Sequence, residues 1–128
     1  MNKRYFAKII ARDSQGLQVI SACCSDAKIN ISQIKYLPQN KIFLISLQRM
    51  SKENKNISSK VSSICKFEFI DSVKSKNINQ KNKDLVLNLL AIDLFKNKKD
   101  YEINLLFSHN AYITLKTEII EATLEDQD

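Results

Sequence analysis

LVLNLLAIDLF, residues 85–95, is the stretch on which the fold turns. Asp84 precedes it in a helix-capping position, and its leucines suit a helix. A run of this length fits either a short helix or a long strand, and periodicity alone does not separate the two. We read a strand. Its second half, AIDLF, alternates, and the segments on both sides have strand character. With a strand here, the chain has one main helix near its N-terminus and is otherwise a succession of antiparallel strands.

Working outward, NINQKNKD (77–84) is a polar loop and VSSICKFEFIDSVKSK (61–76) reads as one long strand. Phe67, Phe69 and Val73 fall on one face of it, and Lys66, Glu68 and Ile70 on the other. On the C-terminal side, residues 102–107 and 112–124 form the last hairpin. Ile113, Leu115 and Ile119 share one side, and the Ile119-Ile120 doublet marks a bulge. The turn is Ser108-His109-Asn110-Ala111. Asn tolerates positive φ, so His109 and Asn110 take the two tip positions and the only histidine faces water.

Nearer the N-terminus, two β-branched runs, 28–37 and 42–50, flank Pro38-Gln39-Asn40-Lys41, which is hairpin chemistry. Phe43, Ile45 and Leu47 share one face of the second run. SKENKNISSK (51–60) is a polar loop. YFAKIIA (5–11) is a first strand, after which Asp13 caps a helix over about 14–27. Leu17, Ile20, Cys24 and Ala27 form its apolar face, and Gly16 in its first turn costs it a little. The expectation is one α+β domain over residues 1–128. A curled antiparallel sheet of about six or seven strands is crossed by the one main helix. Leu17, Ile20, Cys24, Phe43, Ile45, Phe67, Phe69, Leu89 and Leu115 are expected to be buried together.

Composition narrows the function more by exclusion than by indication. At 44% hydrophobic and 27% charged residues, the chain has the makings of one ordinary core. No run of about 18 apolar residues exists, so no membrane span is expected. The apolar part of MNKRYFAKIIARDSQG is short, charge-interrupted and without a small-residue cleavage site. It reads as a strand and not a signal peptide. Cys23, Cys24 and Cys65 are an odd number with two adjacent, which is no disulfide framework and suits a reducing cytoplasm. Adjacent helical cysteines point about 100° apart, and structural zinc wants about four ligands, so no metal is expected. One glycine cannot write a dinucleotide fingerprint or a P-loop, and no cofactor is expected. Cys65 with His109 as nucleophile and base lacks any activating motif, and a small cysteine in an alternating strand packs as a hydrophobe. Glu118 and Glu121 fall on opposite faces of a strand. No catalytic residue is expected.

The net charge is +6, and lysine supplies most of it. Lys74, Lys76, Lys81 and Lys83 make the candidate basic surface. The loops expected at 51–60 and 74–83 lack arginine forks and stacking aromatics. With Lys, Asn and Ile abundant, the charge reads as drift in an AT-rich genome, good for non-specific nucleic-acid contact only.

DSQGLQVISACCSDAKINISQIKYLPQNKIFLISLQRM (13–50) resembles the opening of a small alphaproteobacterial family, domain of unknown function 2948. Relatives carry a similar acidic cap, an LxVISAxxxDA-like helix (Leu17 to Ala27 here) and a WLP-like turn, where this chain has Tyr36-Leu37-Pro38. KFEFIDSVKSKNI (66–78), LLAIDLF (89–95) and ITLKTEIIEATLED (113–126) are also similar. Where relatives tend to have glycines in the last hairpin turn, this chain has Ser108-His109-Asn110-Ala111. The resemblance implies a fold context and carries over no functional residue. The expected function is a small non-catalytic cytoplasmic binding or accessory module, meeting a protein partner or a second copy through its sheet or strand edges. The alternatives are a nucleic-acid binder using the lysine-rich loops, or an enzyme without a recognisable motif.

Overall fold

Residues 85–95 are strand, as read from their alternation: β7 covers Val86–Lys96. The computed structural model describes residues 7–50 and 60–127. Residues 5–6 of the expected first strand and nearly all of the loop expected at 51–60 lie outside these. In chain order come β1 (Lys8–Ala11), α1 (Ser14–Cys24), β2 (Ala27–Asn30), a 3-10 turn (Ile31–Gln33), β3 (Ile34–Leu37), β4 (Ile42–Met50), β5 (Lys60–Phe67) and β6 (Ile70–Lys76). After β7 follow β8 (Tyr101–Phe107), β9 (Tyr112–Thr117) and β10 (Ala122–Asp126). The strands form one antiparallel sheet in the order β1-β10-β5-β4-β2-β7-β8-β9-β6, with β3 pairing β4 beside that path.

Ten strands replace the expected six or seven, and the difference has one origin. Three runs that read as single strands are each broken once. The run 28–37 breaks at the 3-10 turn, where the Asn30 side chain accepts from the Ser32 N–H at 2.9 Å. The run 61–76 breaks at Glu68 and Phe69, and the run 112–124 breaks between Thr117 and Ala122. The last two breaks sit side by side. Glu68 N–H donates to Glu121 O at 2.9 Å, and the Thr117 hydroxyl lies 2.7 Å from Phe69 O and 2.6 Å from Ile119 O. Two long paired strands thus turn the same corner together. Before it β5 pairs β10; after it β6 pairs β9.

The corner reverses part of the expected burial. Phe69 has φ 61° and is 47% exposed, whereas Ile70 is fully buried. The backbone enters the left-handed region at Phe69, so the alternation slips by one residue there, and the register shift between Ile70 and Ser72 restores it before Val73. Ile119 likewise turns outward at 54% exposure and Ile120 inward. The other eight expected core residues are all buried.

Helix α1 packs mainly on β7 and β1. Asp13 caps it, accepting from the Gly16 N–H at 2.8 Å. It ends three residues before the expected Ala27, because Asp26 adopts φ 66° and donates its N–H to Leu89 O, starting β2. Gly16 is more than a weak helix former. A Cβ there would sit 2.8 Å from Ala11 Cα and 2.9 Å from Ala11 Cβ, and Ala11 is fully buried. Gly16→Ala would normally favour a helix by about 1 kcal/mol. Here the overpacking should win, with a net loss of about 1–3 kcal/mol in a denaturant melt. A more stable variant would show that the helix can move off β1.

Candidate functional site: an open seam in the sheet

The broken run 28–37 decides where the sheet fails to close. β2 pairs both β4 and β7, through Lys28 to Gln48 and Asn88. After the 3-10 turn the chain stays with β4 as β3 but leaves β7, so β3 is paired on one side only. β6 ends the sheet path and is also paired on one side only, by β9. No backbone hydrogen bond joins β3 to β6 among the described residues.

Between these strands opens a crevice of about 380 Å³. Ile34 and Tyr36 of β3 form one wall, and Val73 and Ser75 of β6 the other. Ile31, Ile78 and Gln80 complete the lining, and the core residues Phe43 and Ile113 form the floor. At one end the seam is tied. The Tyr36 hydroxyl donates to Ile70 O at 3.2 Å, and Ile70 N–H donates to Lys41 O at 2.8 Å. Lys41 then pairs with Asp71 at 3.0 Å. Past the end of β6, the Asn77 side chain donates to Asn110 O in the β8–β9 turn at 2.9 Å, on the strand's paired side. Aliphatic side chains dominate the lining, and Ser75 and Gln80 add polar groups to it.

The candidate lysines fall beside this seam. Lys74 and Lys76 are not in a loop, as 74–83 was expected to be; β6 runs to Lys76. They occupy the outward positions that alternate with Val73 and Ser75. Lys81 and Lys83 follow in the loop whose Ile78 and Gln80 line the crevice. All four are exposed.

A second groove, about 520 Å³, crosses the outer surface of β2, β4 and β5. Lys28, Asn30, Gln33, Gln48, Ser62 and Gln127 line it together with Leu47, Ile64 and Val86. Amides and hydroxyls beside one cation offer hydrogen bonds, but no nucleophile or acid–base pair.

Under that groove lies the polar group that the sequence reading missed. Arg49 is 1% exposed, at the inward position that follows Phe43, Ile45 and Leu47. It meets Asp126, which follows Ala122 and Leu124 in the same phase of β10. Arg49 Nε and Nη2 donate to Oδ1 at 3.1 and 3.0 Å, and Nη2 donates to Oδ2 at 2.8 Å. The Ser63 hydroxyl donates to Oδ1 at 2.6 Å and Ala7 N–H to Oδ2 at 2.8 Å. Burial alone would raise the carboxyl's pKa. The hydrogen bonds from Arg49, Ser63 and Ala7, with the guanidinium charge, outweigh it and hold the group below its ordinary value. Strand alternation was the available signal: two opposite charges each stand in the inward phase of an apolar strand.

The remaining candidates do not assemble into chemistry. His109 sits at the hairpin tip as read, with φ 62° and Asn110 at 59°, and is exposed. Burial, with Cys23 alongside, pushes the Cys24 thiol up to about 12, and burial raises that of Cys65. Both are protonated at neutral pH and are poor nucleophiles. Among the described residues no three His, Cys, Asp or Glu side chains are grouped to hold a metal ion. No described helix is long and apolar enough to cross a membrane.

Among known proteins, the family described as "Protein of unknown function (DUF2948)" matches residues 7–128. No curated protein and no solved structure matches.

Proposed function

The chain belongs to the DUF2948 family, and we propose that it is a small non-catalytic binding module that holds an extended segment of a partner protein by taking it up as a strand at the seam between β3 and β6. The observation that carries this reading is the crevice itself. It is lined mainly by aliphatic and aromatic side chains, reaches core residues, and is flanked by two strands each paired on one side only. A free strand edge offers a row of unpaired N–H and C=O groups. An added strand satisfies them while its alternate side chains fill the pocket, the division of labour seen in strand-addition recognition. An aliphatic chain would fill the pocket but leave the edge groups unserved. We place the module in the cytoplasm of an alphaproteobacterium, the setting that the unbridged-looking cysteine pattern and the sequence resemblance favour.

The test uses fluorescently labelled peptides of about seven residues, the length of β6, alternating aliphatic and polar side chains. Saturable binding is expected in fluorescence anisotropy. Ser75→Trp, an exposed position on the crevice wall, should weaken it at least tenfold by filling the crevice, without moving the unfolding midpoint. Binding that Ser75→Trp leaves intact, or none at all, would refute the seam as the site.

A further inference from the structure

We infer that the seam selects strands whose side chains alternate apolar and acidic; the inference rests on the strand-addition reading and deepens it. In an added strand, alternate side chains point to opposite faces of the sheet. One set enters the crevice among Ile34, Tyr36 and Val73. The other set stands on the outer surface, between the outward residues of the two flanking strands.

Most of those outward residues are lysines, with Leu37 on β3 and Ser72 on β6 as the exceptions. On β3 it is Lys35, between the wall residues Ile34 and Tyr36. On β6 they are Lys74 and Lys76, alternating with Val73 and Ser75. All three are exposed, and none pairs with an acidic side chain among the described residues. The contrast is Lys41, at the tied end of the seam, whose charge Asp71 already meets. Unpaired positive charge therefore borders the open part of the seam, as it also stands at other exposed lysines such as Lys28. Opposite charges across neighbouring strands are favourable, and like charges are unfavourable.

The same lysines argue against a second copy of this chain as the occupant. Edge-to-edge pairing of two β6 strands would bring Lys74 and Lys76 of each copy against those of the other, the arrangement by which lysines protect an edge. They would attract the phosphates of a nucleic acid, but the crevice itself offers its bases no free stacking surface. The crevice offers mainly aliphatic walls, and the Tyr36 ring is tied down through its hydroxyl to Ile70 O.

Three heptapeptides test this, sharing the same aliphatic residues and carrying Glu, Gln or Lys at the alternate positions. In low salt the Glu peptide should bind about tenfold tighter than the Gln peptide, and the Lys peptide weakest. The preference should fade above about 0.5 M salt, where screening is short-ranged. In the triple variant Lys35→Glu/Lys74→Glu/Lys76→Glu, all at exposed positions, the order should reverse. If Glu and Gln peptides bind alike and the triple variant changes nothing, acid selection is wrong while strand binding at the seam stands. If no peptide binds, the seam reading falls as well. Displacement of the Glu peptide by an equimolar single-stranded oligonucleotide or by dodecanoate would overturn the choice of a peptide occupant.

Discussion

Asp126→Ala is expected to destabilise the protein by about 3–5 kcal/mol, the cost of leaving a buried guanidinium without its carboxylate. The side chains of Arg49 and Asp126 are each 1% exposed and 2.8 Å apart, and the Ser63 hydroxyl and Ala7 N–H also lose their acceptor. The pair joins β4, β5 and β10 at one end of the core, so its loss should loosen strands far apart in sequence. The double variant Arg49→Met/Asp126→Leu removes both charges and should recover most of the loss. Urea melts of the three proteins decide the matter. A single variant within about 0.5 kcal/mol of wild type would mean that water reaches the pair. Acid gives a second reading. Because the folded Asp126 carboxyl titrates below its ordinary value, its contribution is fully present above the unfolded pKa of about 3.9 and is lost as pH falls through the folded value. Wild type should therefore lose stability more steeply than Asp126→Asn below about pH 4.

Phe67→Ala and Phe69→Ala, two residues apart, are expected to differ by several kcal/mol. Phe67 is fully buried, its ring centroid 6.3 Å from that of Phe43, and truncation should cost about 3–5 kcal/mol. Phe69 is exposed at a positive-φ corner. Phe69→Ala should cost under about 1 kcal/mol, and Phe69→Gly should stabilise by up to about 1 kcal/mol, because glycine carries no left-handed penalty. Guanidinium midpoints of all three settle it. Equal losses at 67 and 69 would restore one unbroken strand through the corner.

The sequence carried the elements well and the breaks poorly. Alternation in AIDLF was enough to identify β7, and Asn110 with its neighbour marked the hairpin tip. The string KFEFID could not announce its corner, because Phe69 and Ile70 are both apolar and either can face inward. The Ile119-Ile120 doublet gave the better hint, read as a bulge where the strand in fact turns a corner. Gly16 looked like a defect because its reason is a contact with Ala11, invisible in local sequence. The seam was out of reach for a deeper cause. It exists because β2 pairs β7 while β3 does not, and strand order is a tertiary choice that no single segment encodes. The lysines were visible at 74, 76, 81 and 83, but not their position beside a mainly apolar crevice.

Backbone amide hydrogen exchange, read residue by residue with and without the alternating apolar–acidic peptide, bears most directly on the seam. Slowed exchange is expected on β6 (Ile70–Lys76) and β3 (Ile34–Leu37), whose edges the peptide would pair, with little change on β1 or around the groove of Gln48 and Ser62. Protection that leaves β3 and β6 untouched, or that appears only elsewhere, would contradict strand addition at the seam.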